Sequence, residues 1–317
     1  MPQKTTGRKS IPRALRTYFK MISRIAPDLA ARQGFYLFCR PFAMQKPSER
    51  ELGVNAKGSE RVIRSGSGDV TVYCWRGDEP DSRRNVYMVH GWASCGSKLN
   101  AWAEPLFEAG FNVHIFDLPA HGKSEGKTTN ITEMAGAIRQ AVQEFGPAHA
   151  LISHSFGGLT ACTALGEASE SQIGPPFEIK RLLMVAPVPS LHELFSWWAQ
   201  EMGLTEKSQR SMHELGRGVS CYPWEEYDIP TLLPDYPLPK LIIHDRDDHE
   251  IPFAEGKELA ETLPDTTFVE TTKLGHRRIM RDPEVIAKGV EFLLADEPAT
   301  AEATDAPEPA DGGSSAN

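Results

Sequence analysis

Ser155 has the neighbours that a nucleophilic serine needs. It lies where a short apolar stretch meets a run rich in small residues, in the segment Ser153-His154-Ser155-Phe156-Gly157. A sharp strand-to-helix turn strains the backbone of its central residue and exposes that residue's hydroxyl, so the positions two before and two after must be small. Ser153 stands where glycine is usual, but it is small enough for the turn. We therefore predict that Ser155 is a nucleophile.

A histidine and an aspartate follow Ser155 at places from which they can activate it. A serine hydroxyl is a weak nucleophile at its own pKa, so a histidine must take its proton and a carboxylate must orient that histidine. Two later predicted strands are followed by such residues, the first by Asp245, Asp247 and Asp248 and the second by His276. The order serine, aspartate, histidine is one in which such triads occur. We predict His276 as the general base and Asp248 as the third member, with Asp245 and Asp247 as alternatives.

The main chain at Trp92 and Phe156 is the predicted site for an oxyanion. Attack on a carbonyl places a full negative charge on its oxygen, and backbone N–H groups can bind that charge. His90-Gly91-Trp92 ends an early predicted strand, and Phe156 follows the nucleophile. We predict that the N–H groups of Trp92 and Phe156 form this oxyanion hole, with a place in the pocket wall as the alternative role of the Trp92 side chain.

Predicted strands and helices alternate along most of the chain. The strands lie at residues 85–89, 112–116, 149–152, 181–185, 240–244 and 267–270, after one or two short strands within 61–77. The helices lie at residues 98–109 and 131–145, from 156, from 252 and at 283–294. Such alternation is typical of an α/β fold with a mostly parallel sheet and helices on both faces.

The alternation breaks between residues 187 and 238, where Trp, Met and Leu are frequent. We interpret this segment as an inserted helical cap over the carboxyl edge of the sheet. Trp197, Trp198 and Met202 are the predicted pocket residues, and an apolar roof favours a lipophilic or medium-chain acyl substrate. The alternative is that these side chains only pack the cap on the body.

Together these segments resemble the serine branch of the α/β-hydrolase superfamily, which includes carboxylesterases, monoacylglycerol lipases and lysophospholipase-like enzymes. The resemblance rests on His90-Gly91-Trp92, residues 117–126, residues 153–157, Asp248 and His276, and it spans about residues 61–296. It implies the α/β-hydrolase fold and ester hydrolysis through an acyl-enzyme, without metal or cofactor. It does not extend to the N-terminal helices, the cap or the tail.

The N-terminal segment predicts an amphipathic, basic helix outside this core. Apolar residues recur at spacings of three and four at Ile11, Leu15, Phe19, Ile22 and Ile25, which is the period of one helix face. The stripe favours packing against the protein's own body. The alternative is peripheral contact with an anionic membrane, because basic residues lie on the rest of the helix.

The predicted organisation places a two-part α/β core between less regular ends. It comprises an N-terminal helical extension (1–60), the core (61–190 and 237–296), the cap (191–236) and a disordered acidic tail (297–317). The tail is rich in Ala, Pro, Glu and Asp and has little apolar surface to bury.

Composition excludes several other classes of protein. The net charge of −9 makes the body a poor partner for nucleic acid. Five cysteines without paired spacing favour reduced thiols in a cytoplasm. No apolar run approaches the roughly 18 residues of a membrane span, and no signal sequence is recognisable. We expect a cytoplasmic protein. The alternative is a cytoplasmic protein that also contacts the inner face of the membrane.

The predicted function is cleavage of a small-molecule carboxylic ester by a serine esterase. A thioesterase, a lactonase or a peptidase with the same triad remain alternatives, because the fold does not determine the bond. Dehalogenases and epoxide hydrolases resemble a different pattern, with aspartate in place of Ser155. A catalytically silent small-molecule-binding protein is disfavoured, since no triad member is missing.

Overall fold

Eight strands and the helices around them make up the described part of the chain. The computed structural model describes residues 11–42, 44–167, 170–233 and 237–295. Its strands are β1 (Ser59–Ser65), β2 (Gly68–Trp75), β3 (Arg84–Val89), β4 (Phe111–Phe116), β5 (Ala148–His154), β6 (Arg181–Val185), β7 (Lys240–Asp245) and β8 (Thr266–Thr271). Its α-helices are α1 (Arg13–Ile25), α2 (Pro27–Phe38), α3 (Glu49–Asn55), α4 (Ala103–Glu108), α5 (Ile131–Phe145), α6 (Phe156–Leu165), α7 (Glu170–Ile173), α8 (Leu191–Met202), α9 (Glu206–Arg217), α10 (Ile229–Leu232), α11 (Phe253–Thr262), α12 (Gly275–Arg278) and α13 (Pro283–Leu294). Short 3₁₀ helices lie at Pro80–Ser82, Gly96–Trp102, Trp224–Glu226 and Ile279–Arg281.

The strands form one mostly parallel sheet, as predicted. Their order is β1-β2-β4-β3-β5-β6-β7-β8. β1 pairs with β2 and β2 with β4 in antiparallel fashion, whereas the remaining pairs are parallel. The carboxyl ends of β3, β5, β7 and β8 therefore lie at the same edge of the sheet, which is where open α/β sheets bind their ligands.

Apolar side chains are buried on both faces of the sheet. Leu151 and Ile152 are neighbours on β5 and point to opposite faces. Leu151 belongs to a core cluster with Leu159 of α6, and Ile152 belongs to a second cluster with Trp102 and with Leu293 of α13. Helices thus cover both faces, and the predicted α/β-hydrolase architecture is confirmed.

Local signals set the ends of α5 and α13. The Asn130 side chain accepts a hydrogen bond from the N–H of Glu133 at 3.0 Å, and Gly146, with φ of 107°, ends α5. Asp282 caps α13 by accepting bonds from two N–H groups of its first turn at 3.0 and 3.1 Å. Both helices begin and end where the sequence predicts.

Two helical segments differ from the sequence prediction. The predicted helix at residues 98–109 is a 3₁₀ helix at Gly96–Trp102 followed by the short helix α4. Pro105 has no N–H to donate, so a continuous α-helix is interrupted there, whereas the first turn of α4 tolerates a proline. Helix α3 is absent from the prediction, although Ser48 and Glu51 form a capping box at its start.

Helix α1 packs against the body along most of its apolar stripe. Phe19 is buried, and three further stripe residues are half-buried against the core: Ile11, Leu15 and Ile22. The N–H of Thr205, the residue before α9, donates to Ser23 Oγ at 2.8 Å. Ile25 differs from the prediction, because it is 77% exposed.

Helix α2 packs closely against the cap helices α8 and α9. The ring of Phe38 contacts those of Phe195 and Trp198 edge-on, with centroids 5.5 and 5.4 Å apart. A Cβ atom at Gly34 would lie 3.3 Å from Met212 Sδ, so glycine allows α2 to approach α9. The N-terminal helices and the cap therefore form one layer beside the sheet edge.

The two ends of the chain lie outside the part that the structure describes. Residues 1–10 and the predicted acidic tail at 297–317 lie outside the described residues. Within those residues, no helix combines the length and apolar character needed to cross a membrane. All five cysteines are described, and each is a free thiol.

Candidate active site

Ser155 occupies the sharp turn between β5 and α6. Its φ and ψ are 56° and −126°, a combination that residues with side chains rarely adopt. Its N–H donates to the carbonyl oxygen of Val185 at 2.9 Å, which fixes the turn to the neighbouring strand. A Cβ at Gly157 would lie 2.5 Å from the carbonyl oxygen of Val89, and one at Gly91 would lie 2.9 Å from Ser155 Cβ. Glycine at these two positions makes room for the serine.

Ser153 is accommodated two residues before Ser155. Its side chain is buried, and its Oγ donates to the carbonyl oxygen of Leu183 at 3.2 Å. The polar atom that distinguishes it from glycine therefore has a partner, which avoids the cost of burying an unpaired hydroxyl. The turn forms with serine at this position.

The structure brings His276 together with Asp248. His276 Nδ1 lies 2.7 Å from Asp248 Oδ2. Both residues are 8% exposed, so the contact is shielded from water on most sides. A short bond between a carboxylate and an imidazole N–H is the geometry that orients a catalytic base.

The two alternative aspartates have other partners. Asp245 accepts hydrogen bonds from the Thr271 hydroxyl at 2.7 Å and from the N–H of Gly275 at 2.9 Å. Asp247 is exposed and accepts the N–H of Lys273 at 2.7 Å. Both carboxylates stabilise the loop that leads to His276. The geometry therefore favours Asp248 as the partner of the histidine.

Asp248 is held in its ionised form. Burial raises its pKa, but hydrogen bonds from the rings of His244 and His276 and from the N–H of Ile251 outweigh burial, and the pKa lies well below its usual range. Asp248 Oδ1 accepts the N–H groups of Glu250 and Ile251 at 2.7 and 2.9 Å. The carboxylate therefore favours a proton on Nδ1 of His276 and leaves Nε2 to accept one.

His244 is a second histidine on the same carboxylate, and the sequence analysis missed it. It lies on β7 with its side chain fully buried, and its Nε2 is 3.4 Å from Asp248 Oδ2. The same nitrogen lies 3.2 Å from the carbonyl oxygen of Ile251. His244 lies near the end of β7, the strand that precedes Asp248. This position is the signal by which the sequence could have indicated a contact with Asp248.

His154 is the other residue that the sequence analysis missed. Its Nε2 lies 2.8 Å from the carbonyl oxygen of His276, and the two rings are 4.6 Å apart. Burial, together with the neighbouring His276, lowers the pKa of His154 to about 3. The ring is therefore neutral at pH 7 and donates its Nε2–H to that carbonyl. His154 thus positions the backbone that carries the candidate base.

The N–H groups of Trp92 and Phe156 are free to bind an anion. In the part of the chain that the structure describes, neither N–H donates a hydrogen bond. Both residues border the same cavity as Ser155. Phe156 is the first residue of α6, where the helix dipole adds partial positive charge. The Trp92 ring also lies in the cavity wall, 5.6 Å from the Phe156 ring.

Two neutral histidines hold the loop that carries Trp92. His90 Nε2 accepts an N–H of the 117–126 loop at 3.1 Å, and His121 Nε2 accepts the N–H of Ala93 at 3.1 Å. Burial lowers the pKa of His90 to about 4. Burial, with a contribution from His90, lowers the pKa of His121 to about 3. The contacts of His90 and His121 therefore join the 117–126 loop to the loop that carries Trp92.

Ser155 and His276 line one apolar cavity of about 400 Å³. Its wall combines the N-terminal segment, the core and the cap. The large apolar residues in the wall are Phe35, Leu37, Phe38, Phe42, Trp92, Ile131, Phe156, Val188, Leu191, Leu194, Trp197, Trp198, Val219, Trp224 and Ile251. Trp197 and Trp198 lie in this wall, as the sequence predicts. The cavity thus presents a mainly hydrocarbon surface to whatever approaches Ser155.

The prediction that Met202 lines the pocket is wrong. Met202 is 1% exposed and belongs to the core cluster, and it is not part of the cavity wall. Phe195, Ala199 and Met202 follow one another at helical spacing and form the buried face of α8. Trp197 and Trp198 flank that face and reach the cavity.

Both carboxylate oxygens of Asp248 are engaged by protein groups. Within the described residues, no three His, Cys, Asp or Glu side chains are grouped so that they could hold a metal ion. The carboxylate thus serves to orient His276, which shares its cavity with Ser155.

The fold and the arrangement of this site define an α/β hydrolase. The model of the alpha/beta hydrolase family matches residues 86–288, which is more than half of the chain. The chain belongs to the α/β-hydrolase family.

The curated relatives that the chain matches differ in the substrates that their names state. A pimeloyl-[acyl-carrier protein] methyl ester esterase of Edwardsiella ictaluri is 29% identical over 119 residues, which are 36% of this chain and 41% of that protein. A 2-hydroxy-6-oxononadienedioate/2-hydroxy-6-oxononatrienedioate hydrolase 1 of Dechloromonas aromatica is 24% identical over 261 residues, 69% of this chain and 89% of that protein. An esterase from Exiguobacterium antarcticum superposes with a TM-score of 0.53 at 16% identity, covering 75% of this chain and 100% of that one. This structural likeness shows the fold alone.

The buried neutral histidines make stability depend on pH. A histidine whose pKa is lowered by folding binds a proton more readily in the unfolded chain, so its contribution is complete above about pH 6.5 and is lost as the pH falls towards the folded pKa. We expect the free energy of unfolding to fall between about pH 6.5 and 4, with His121 contributing about 1.4 kcal/mol per pH unit. Urea unfolding at several pH values measures this slope.

The variant His121→Gln tests this prediction. Glutamine can accept the N–H of Ala93 but cannot titrate. The slope of the free energy of unfolding against pH should therefore decrease by about 1.4 kcal/mol per pH unit, which corresponds to one proton. His249→Gln changes an exposed histidine and is the matched control. Equal slopes for His121→Gln and the wild-type chain would contradict the assignment of a neutral buried ring.

Proposed function

We propose that the chain is a serine esterase that cleaves a lipophilic or medium-chain carboxylic ester through an acyl-enzyme on Ser155. One observation carries the proposal: His276, whose Nδ1 lies 2.7 Å from Asp248 Oδ2, lines the same apolar cavity as Ser155. Ser155 stands on a strained turn that exposes its hydroxyl. This combination suits nucleophilic attack on an acyl carbonyl.

The first half of the reaction acylates Ser155. His276 Nε2 takes the proton from Ser155 Oγ as the oxygen attacks the ester carbonyl, and the Nδ1–H bond to Asp248 stabilises the imidazolium that forms. The carbonyl oxygen becomes an oxyanion, which accepts hydrogen bonds from the N–H groups of Trp92 and Phe156. When the tetrahedral intermediate collapses, His276 gives its proton to the leaving alcohol and the acyl group stays on Ser155.

The second half of the reaction releases the acid. His276 Nε2 takes a proton from a water molecule, and the resulting hydroxide attacks the carbonyl of the acyl-enzyme. The same N–H groups stabilise the second oxyanion. Collapse breaks the bond to Ser155 Oγ, and the proton on His276 returns to that oxygen. The products are a carboxylic acid and the regenerated serine.

The cavity wall supports an apolar acyl group. Rings from three parts of the chain contribute to it, including Phe38 of α2, Trp92 of the core and Trp198 of the cap. Burial of hydrocarbon against such a wall stabilises a complex by about 0.8 kcal/mol per methylene group.

One of the two curated relatives has a name that supports ester cleavage. The Edwardsiella protein is described as a methyl ester esterase, whereas the Dechloromonas protein is described as a hydrolase of a 2-hydroxy-6-oxo acid. Thioester, lactone and peptide hydrolysis would use the same triad, so the substrate must be tested by experiment.

Replacement of Ser155 by alanine tests the nucleophile. Ser155→Ala keeps Cβ at the strained turn, so the fold should persist while kcat for p-nitrophenyl esters falls on the order of 10⁶-fold. The wild-type chain should hydrolyse butyryl to decanoyl esters faster than the acetyl ester, because longer chains fill the cavity. Rates across the acyl series, with circular dichroism of both chains, measure the effect.

Covalent labelling separates this proposal from its rivals. A fluorophosphonate should add to the wild-type chain at Ser155 and leave Ser155→Ala unmodified. If Ser155→Ala hydrolyses esters at the wild-type rate, Ser155 is not the nucleophile. If the wild-type chain is labelled but cleaves only acyl thioesters, lactones or peptides, the triad stands and the ester assignment fails. If it is neither labelled nor active, a silent binding protein is favoured.

Substitution of Asp248 tests the third member of the triad. Asparagine cannot stabilise the imidazolium or select the required tautomer of His276, so Asp248→Asn should lower kcat/KM about 10⁴-fold. Asp247→Asn is the matched control, because Asp247 is exposed and bonds to the N–H of Lys273 instead. Equal losses in both variants would mean that the loop, rather than the contact with His276, determines the effect.

Shortening Phe38 tests the N-terminal contribution to the acyl pocket. Phe38→Ala removes a ring from the cavity wall, so kcat/KM for the decanoyl ester should fall about tenfold while the acetyl ester is nearly unaffected. Phe292→Ala removes a half-buried ring from the second core cluster and serves as the control. A uniform loss for all acyl lengths would show that Phe38 supports the fold and does not contact the acyl chain.

A further inference from the structure

Exposed apolar side chains are concentrated on the N-terminal helices. Of the eleven large apolar residues that are exposed in the described chain, seven lie between residues 18 and 44. They are Tyr18, Met21, Ile25, Leu29, Tyr36, Phe42 and Met44. A concentration of exposed apolar side chains on one part of a protein is typical of an interaction site.

Basic residues accompany these side chains. Residues 11–48 contain seven Lys or Arg and a single acid, in a chain whose net charge is −9. The bases are Arg13, Arg16, Lys20, Arg24, Arg32, Arg40 and Lys46. Arg16 pairs with Glu201 at 3.4 Å, whereas within the described residues no carboxylate pairs with Lys20, Arg24 or Arg32. We call the apolar residues above and these bases the α1–α2 face.

The helical geometry places the two kinds of residue side by side. On α1, Tyr18, Met21 and Ile25 follow one another at spacings of three and four, and Lys20 and Arg24 occupy the adjoining sector. On α2, Leu29, Arg32 and Tyr36 form one row at the same spacing. The exposed sides are therefore mixed apolar and basic, which is the pattern of helices that lie at a membrane surface.

The two helices present this pattern together. Tyr18 Oη donates to Gln33 Oε1 at 2.7 Å, which connects α1 to α2. Arg40 Nη1 donates to Tyr36 Oη at 3.3 Å, and its guanidinium lies 5.7 Å from the Phe42 ring centroid. The exposed row on α2 thus continues to Arg40 and Phe42.

The α1–α2 face continues into the cavity of the candidate active site. Arg40 and Phe42 are exposed members of the face and also line the cavity that contains Ser155. Exposed Val219, two residues after α9, lines the same cavity. An apolar molecule that leaves a surface in contact with the face can therefore enter the cavity without crossing open water.

We infer that the α1–α2 face docks on an anionic lipid bilayer and that ester substrates enter the cavity from that bilayer. Charge complementarity selects this partner, because the face is basic while the chain as a whole is acidic. The apolar side chains supply the second signal that stable attachment to a membrane surface requires. The entry of substrate rests on the proposed esterase function, whereas docking does not.

Vesicle binding of the full chain tests the docking step. The wild-type protein should sediment with vesicles of phosphatidylcholine and phosphatidylglycerol and should bind vesicles of phosphatidylcholine alone much more weakly. Each Lys or Arg near an anionic surface strengthens binding about fivefold, so Lys20→Gln/Arg24→Gln should weaken binding about 30-fold. Concentrated salt should weaken wild-type binding in the same direction, because it screens the charges.

Apolar variants and matched controls complete the binding test. Met21→Ser/Ile25→Ser should weaken binding by about tenfold or more, since both side chains are exposed in the free protein and would be buried in lipid. The controls are Lys257→Gln/Lys288→Gln and Val62→Ser, which change exposed residues outside the face and should bind as the wild type does. Equal effects of control and face variants would overturn the proposal.

Two further results would also overturn docking on lipid. The first is failure of the wild-type chain to bind either kind of vesicle. The second is a wild-type dimer in light scattering that becomes a monomer in Met21→Ser/Ile25→Ser, because the face would then bind a second copy of the chain. A monomeric wild-type protein that binds only the anionic vesicles supports the proposal.

Activity measurements separate docking from catalysis. Lys20→Gln/Arg24→Gln should hydrolyse soluble p-nitrophenyl butyrate at the wild-type rate but should hydrolyse an ester embedded in anionic vesicles about 30-fold more slowly at limiting vesicle concentration. Ser155→Ala should bind vesicles as the wild type does. If the wild-type chain binds vesicles but cleaves no ester, docking stands and the proposed function fails. If it cleaves soluble and embedded esters without binding vesicles, the function stands and docking fails.

Discussion

The strained backbone of Ser155 is the constraint on which the site depends. A non-glycine residue with φ of 56° and ψ of −126° costs on the order of 1–3 kcal/mol and persists only where the surroundings enforce it. Here the Ser155 N–H donates to Val185, and its carbonyl oxygen accepts the N–H groups of Gly158 and Val188. Since the turn lies at the carboxyl end of the central strand β5, the flanking strands can deliver the other groups of the site to the same edge.

Burial then determines the protonation of the groups around that turn. His90, His121 and His154 are almost fully buried, and their pKa values fall to about 4, about 3 and about 3. As neutral rings they each offer one donor and one acceptor, so they can join loops without adding charge. Asp248 is the opposite case, because hydrogen bonds outweigh burial and keep it ionised. The site therefore holds a negative carboxylate against Nδ1 of His276, and the three buried rings around the turn are neutral.

Sequence alone predicts the parts of this arrangement that local patterns encode. The small residues around Ser155, the caps of α5 and α13 and the residues after β7 and β8 are all local signals, and the structure places the corresponding elements as predicted. Long-range packing is not encoded in this way. The sequence could not distinguish Asp248 from its neighbours with certainty, could not show that His154 and His244 contact the pair, and placed Met202 in the pocket because its apolar type does not reveal which face of α8 is buried.

The N-terminal helices form part of the cavity wall together with the cap. The inserted helices α8 and α9 do not close the cavity by themselves, because Phe35, Phe38 and Phe42 supply part of its wall. The same segment carries an excess of basic residues in an acidic chain, so an anionic surface attracts this side of the molecule and repels the rest. Long-range charge can thus orient the cavity before any contact forms, and short-range apolar burial can hold that orientation. Helix α2 lines the cavity on one side and is exposed on the other. A shift of this helix on contact with a membrane would therefore change the width of the cavity at Phe38. If the α1–α2 face docks on a bilayer as proposed, attachment and substrate entry are coupled through α2.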